Sequence, residues 1–251
     1  MSAPNAAPIR AEAFIIHLSR AEARKPQVER LTATLPLPVN IIDAVDGLAL
    51  GDGEIEAVYR RQLHRPRYPF ELRKAEIGCF LSHRKAWQAI VDGGLDAGLI
   101  VEDDVEPDEK LFAPALALAL ETIQPGDYIR FPYRSHTDGG AEVAKAGDIA
   151  LVEPAHVGLG MQMQLVGRAA AAELLKVTER FDRPVDTTIQ MRWLAKICIL
   201  AVRPPSIRQI GHLLGGTIVQ KKSKPLSEVL SREVKRAWYR LAIRLAFVGR
   251  R

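Results

Sequence analysis

No glycine-rich dinucleotide loop, Walker A motif, zinc-spaced Cys/His set or Gly-x-Ser-x-Gly elbow occurs in this chain of 251 residues. Those absences exclude the common backbone cradles for nucleotides, the structural zinc folds and the serine hydrolase elbow. A nucleotide bound here would have to be held by side chains and a metal. Cysteine is scarce as well. Cys79 and Cys198 are too few for a disulfide framework, which points to a reducing compartment. No stretch approaches the roughly 18 to 20 apolar residues of a membrane span, and the apolar run at 13–18 is too short for a signal-peptide core. The expectation is a protein that stays where it is made, in the cytoplasm. Internal repeats and low-complexity tracts are missing too, so the length fits one large α/β domain, alone or with an appendage.

The net charge of +5 is unevenly spread. From Lys221 onward ten Lys or Arg face two acids, a net of +8, which leaves residues 1–220 at about −3. A mildly acidic body argues against a nucleic-acid-binding core, and the basic excess marks the tail as a segment with its own purpose. Three parts are expected: a disordered N-terminus over 1–12, an α/β domain over 13–220 and a basic amphipathic helical tail over 221–251.

What is present is an alternation of strand and helix patterns. Strands are expected at 13–18, 39–45, 95–105, 127–132 and 196–202, and helices at 75–91, 111–123, 168–177 and 187–194. Residues 134–148 are rich in glycine and charge and read as a mobile flap. The apolar run at 98–101 ends in Glu102, Asp103 and Asp104, so three acids fall at the carboxyl edge of a buried strand, where open α/β sheets collect ligands. A hard divalent cation carrying a phosphate-bearing substrate suits such oxygen ligands. A solvated turn whose aspartates cap the next helix suits them too. In the helix at 75–91, Ile77, Phe80, Leu81, Trp87, Ile90 and Val91 share one arc, and Glu76 and His83 project into it. A polar group on a buried stripe needs a partner, so His83 is either a satisfied core residue or a ligand contact. Asp186, just ahead of a helical segment, suits an N-cap.

Glu76-Ile77-Gly78-Cys79-Phe80-Leu81-Ser82-His83, then Trp87, then Leu99-Ile100-Val101-Glu102-Asp103-Asp104-Val105 closely resembles the signature of glycosyltransferase family 25. The opening Ile15-Ile16-His17-Leu18-Ser19-Arg20 with Arg24 is similar to the family's first strand, with His17 where an Asn is usual, and Ala44-Val45-Asp46-Gly47 and Pro184-Val185-Asp186 resemble family positions. The resemblance implies a GT-A type fold, a Rossmann-like mixed sheet flanked by helices. It implies Mn2+ or Mg2+ bound by Asp104, with Asp103 beside it and His212 as a further ligand. Arg20, Arg24, Asp46, Ser82, His83, Glu102 and Asp103 become donor-site residues, and Asp186 the base of an inverting transfer. The implied partners are a UDP-hexose donor and a saccharide or lipid-linked glycan acceptor, with no nucleic acid.

From Leu226 the tail reads as an amphipathic helix, with Leu226, Leu230, Val234, Ala237, Leu241, Leu245 and Val248 on one arc and Arg232, Lys235 and Arg236 opposite. A helix of that kind can lie on an anionic membrane surface. The expectation is peripheral attachment to the inner face of the cytoplasmic membrane. Two other readings stay open: a metal-dependent nucleotide hydrolase, and a catalytically silent, membrane-associated protein that binds nucleotide sugars.

Overall fold

The apolar strands at the start of the chain pair side by side, which sets the layout of everything else. The computed structural model describes residues 9–134, 139–214 and 226–248. Strand β1 (Ala11–His17) lies parallel to both β2 (Val39–Asp43) and β3 (Ala97–Glu102). Helices α1 (Lys25–Thr34), α2 (Asp52–Val58) and α3 (Lys74–Asp92) fall between these strands in sequence. The second half adds β4 (Val105–Pro107), α4 (Phe112–Thr122), β5 (Asp127–Arg130), β6 (Gly140–Ala146), β7 (Ile149–Pro154), β8 (Met163–Gly167) and α5 (Arg168–Val177). It closes with α6 (Val185–Ile189), β9 (Cys198–Arg203), β10 (Ile207–Gln209) and α7 (Leu226–Val248). Eight strands form one mixed sheet in the order β2-β1-β3-β8-β5-β9-β7-β6, and β4 pairs with β10 in a separate ribbon.

Because β3 has neighbours on both sides and helices on both faces, its sequence is a continuous apolar run rather than an alternation. Leu99 and Val101 point into a core with Val28 and Leu31 of α1 and Phe112, Ala115 and Leu116 of α4. Ile100 points the other way, into a core with Phe80, Trp87 and Ile90 of α3 and Ala170 and Leu174 of α5. The mixed sheet flanked by helices is the architecture expected.

Two expectations are corrected. Residues 11 and 12 belong to β1, and of the N-terminal segment residues 1–8 lie outside the described residues. The segment 134–148 is not all loop, since β6 pairs antiparallel with β7 around a turn at Gly147 (φ +57°). Its residues are mostly exposed, with three Ala and a single Val in its seven positions, as an edge strand tolerates, so no apolar pattern announced it. Residues 226–248 are helical as expected in α7. Val234, Ala237, Leu241 and Leu245 of the apolar arc and the neighbouring Trp238 are exposed, the side chains of Leu226, Leu230 and Val248 lie outside the described residues, and Tyr239 and Ile243 pack against Met191.

Candidate functional site

The register of the first three strands brings their carboxyl ends together. His17 pairs with Asp43 and Ile16 with Glu102, so β1, β2 and β3 deliver their last residues to one edge. The turn from β3 to β4 then holds Asp103 and Asp104. Asp103 accepts a hydrogen bond from His17 Nδ1 (2.7 Å) on Oδ2, and its Oδ1 accepts from Arg24 Nη1. Both oxygens of this buried acid are engaged. Asp104 differs: its Oδ1 is buried with no partner among the described residues, and Arg24 Nη2 stands 3.9 Å from its Oδ2. Burial, with Glu102 nearby, pushes the Asp104 carboxyl up to about 6.

Glu102 is oriented from α3. Gln164 Nε2 donates to His83 Nδ1 (3.3 Å), which leaves His83 Nε2 as the donor to Glu102 Oε1 at 3.2 Å. His83 is fully buried, so it is both a satisfied core residue and a wall of the cleft. Cys79, His83 and Glu102 converge, with potential ligand atoms within 4.8 Å of one another. Cys79 is exposed to solvent on the cleft side of α3.

Ser82 turns inward. Its hydroxyl donates to Gly78 O (2.7 Å) and accepts from the Val45 N–H (2.8 Å), tying α3 to the loop after β2. A Cβ at Gly78 would meet Val45 O at 2.6 Å, so glycine is what lets the loop approach the helix. On that loop Asp46 forms a two-pronged pair with Arg20, Nε to Oδ2 at 2.5 Å and Nη2 to Oδ1 at 3.1 Å. Their hydrogen bond lowers the Asp46 carboxyl below its ordinary value.

Asp186 lies in the first turn of α6 rather than ahead of it, because the helix begins at Val185. Its Oδ1 accepts from the Thr187 N–H at 2.6 Å and its Oδ2 from the Gly160 N–H at 3.2 Å. Gly160 has φ +107°, a conformation open to glycine and strained for other residues. Arg20, Arg24, Asp46, Ser82, His83, Glu102, Asp103, Asp104 and Asp186 all line one cleft of about 380 Å³. His212 does not line it. It is exposed on the turn after β10, one residue beyond Gly211, at which a Cβ would meet Asp104 Oδ2 at 2.8 Å. Asp103, Asp104 and His212 are thus not a convergent trio among the described residues, where Cys79, His83 and Glu102 are.

A second cavity of about 580 Å³ adjoins the cleft, with Gly160, Gln162 and Asp186 lining both. Tyr133, Arg192 and, from α7, Arg240, Ile243 and Arg244 line it. Sequence reasoning missed this cavity, since its residues come from four separate segments. The docking of α7 was equally hidden. Fully buried Arg183 pairs with Asp182 (2.6 Å) and donates to the Tyr239 hydroxyl at 2.6 Å. Arg232 and Arg236 of α7 stand over the Phe70 ring, at 4.6 and 5.8 Å from its centroid.

The model for glycosyltransferase family 25 (LPS biosynthesis protein) matches residues 10–138. Procollagen galactosyltransferase 2 of Homo sapiens is 37% identical over 97 residues, and procollagen galactosyltransferase 1 of Danio rerio is 39% identical over 97. The human inactive glycosyltransferase 25 family member 3 is 37% identical over 100. Each match covers 38% of this chain and 16% of the relative, so the chain spans about a sixth of the length of these curated relatives. A relative named inactive is as identical to this chain as one named a galactosyltransferase, so identity alone does not separate them. Among solved structures, mannose-1-phosphate geranyltransferase from Thermus thermophilus aligns with a TM-score of 0.38 at 13% identity, covering 77% of this chain and 74% of that one.

Proposed function

The chain belongs to glycosyltransferase family 25, and from that premise we propose that it moves a hexose from a UDP-sugar to a saccharide acceptor of a cell-envelope glycan of lipopolysaccharide type. The names of two relatives favour galactose as the hexose. One observation supports this reading above the rest: Asp104 Oδ1, a buried acceptor atom with no partner among the described residues, in a chain without a phosphate loop. An unsatisfied buried acceptor costs on the order of 1–3 kcal/mol, and a cation shared with a diphosphate would remove that cost.

Asp104 and Glu102 fit Mn2+ or Mg2+, hard cations that take oxygen ligands. Bound there, such an ion would supply Lewis-acid neutralisation of the departing nucleoside diphosphate. The other parts are side-chain chemistry. Asp103 has its two oxygens on His17 and Arg24 and so holds the turn that presents Asp104. Arg20 offers a guanidinium to the donor phosphates and Asp46 a carboxylate to the nucleoside. Asp186 accepts the proton of the acceptor hydroxyl as that oxygen attacks the anomeric carbon on the face opposite UDP, which inverts the configuration. Its two backbone hydrogen bonds fix the carboxylate for that task. The protein works at the inner face of the cytoplasmic membrane, with the exposed apolar stripe of α7 and its flanking basic residues on anionic headgroups.

Calorimetric titration of UDP-galactose with and without Mn2+ tests the reading. Binding should require the cation and weaken about tenfold or more in Asp104→Asn. Affinity indifferent to both changes would sink the metal-dependent donor site. UDP release that is as fast without a saccharide acceptor as with one would replace transfer by hydrolysis.

A further inference from the structure

The second cavity carries an excess of positive charge, where the donor cleft is lined by more carboxylates than arginines. Among the described residues, Arg134, Arg192, Arg240 and Arg244 line it together with His156, and Asp186 is the sole acid in its lining. The four arginines are not equivalent. Arg192 is paired with Glu153 at 2.5 Å, and Arg134 stands over the Tyr133 ring. Arg240 and Arg244 have no ion pair or hydrogen bond to a described side chain. The acid closest to them in the described part of α7, Glu233, is bound to Arg236 at 2.5 Å.

Arginines on a helix surface are commonly just solvated. Here the orientation of α7 argues otherwise. Tyr239 and Ile243 are buried against the domain and set the rotation of the helix, and Ile243 itself lines the cavity. Arg240 and Arg244, four apart and therefore on one face, hang over the same space. Uncompensated guanidinium groups in a concave, partly apolar site raise the local concentration of anions and bind phosphate or carboxylate in two-pronged fashion.

We propose that this cavity receives the acceptor and that the acceptor saccharide is anionic, bearing a phosphate or carboxylate held by Arg240 and Arg244, with its hydroxyl directed at Asp186. The inference rests on the glycosyltransferase reading and names the acceptor class that reading leaves open. The tail helix thereby builds part of the substrate site.

Ligand-observed NMR titrations of glucose 6-phosphate, glucuronate and glucose into the full chain, with UDP titrated in parallel in Mg2+, test it. The charged sugars should bind about tenfold more tightly than glucose, and Arg240→Gln with Arg244→Gln should erase that preference while leaving UDP binding unchanged. The stronger of the two charged sugars identifies phosphate or carboxylate as the group. Equal binding of glucose, or a preference that survives the double substitution, would overturn the proposal, as would inorganic phosphate binding as tightly as glucose 6-phosphate. Failure of the UDP titration alone would strike the donor reading, since the sugar titrations report on the second cavity by themselves.

Discussion

Asp103 and Asp104 follow one another on a single turn, yet one carboxylate has His17 and Arg24 on its oxygens and the other has an oxygen with no partner among the described residues. The difference predicts a pH-dependent stability. The folded-state value of Asp104, about 6, lies above the ordinary 3.8, so a proton stabilises the native state and its contribution is lost as pH rises through 6. With divalent cations chelated, Asp104→Asn should melt higher than the parent at pH 8, by an amount equivalent to about 1–3 kcal/mol. The gain should vanish near pH 4, and an offset of the same size at both pH values in thermal melts would refute the assignment. At this scale the acids and His83 were legible because they sit in short, contiguous motifs. The partners were not. His17 meets Asp103 across 86 residues and Gln164 meets His83 across 81, and such contacts exist only once β1, β3 and β8 lie side by side.

Elements were legible where burial imposes a pattern. The apolar runs of β1 and β3 and the 3.6-residue periodicity of α3 follow from packing on two faces of a sheet. Strand β6 is exposed and edge-placed, so packing left no imprint on its sequence. Helix α7 shows a different failure. Its periodicity revealed an apolar arc, but the docked side is chosen by one aromatic hydroxyl on a buried guanidinium and by Ile243. The two faces should therefore separate experimentally. Tyr239→Phe leaves an Arg183 donor short of a partner and should destabilise the protein by about 1–3 kcal/mol in chemical denaturation. Trp238→Glu with Leu245→Glu, both outward, should leave stability unchanged while abolishing flotation with anionic vesicles. Flotation that survives the pair of acids would remove α7 as the membrane contact.

Across the whole molecule, two cavities meet at a partition contributed by Gly160, Gln162 and Asp186. Neither cavity reaches the other's far wall, so the segment from Gly158 to Gln162 and the start of α6 decide what passes between them. An α/β sheet could be anticipated from the alternation of strands and helices, and its mixed character from the family resemblance. The adjacency of the cavities could not, because it depends on the return of Asp186 beside a loop about 26 residues earlier in the chain. That partition has a consequence for steady-state rates. If both substrates press on one wall and the sugar passes directly across it, no glycosylated form of the protein accumulates between the two half-events. Double-reciprocal plots at several fixed acceptor concentrations should then intersect, with UDP competing against the donor, whereas parallel lines would mean that the sugar pauses on the protein before it moves on.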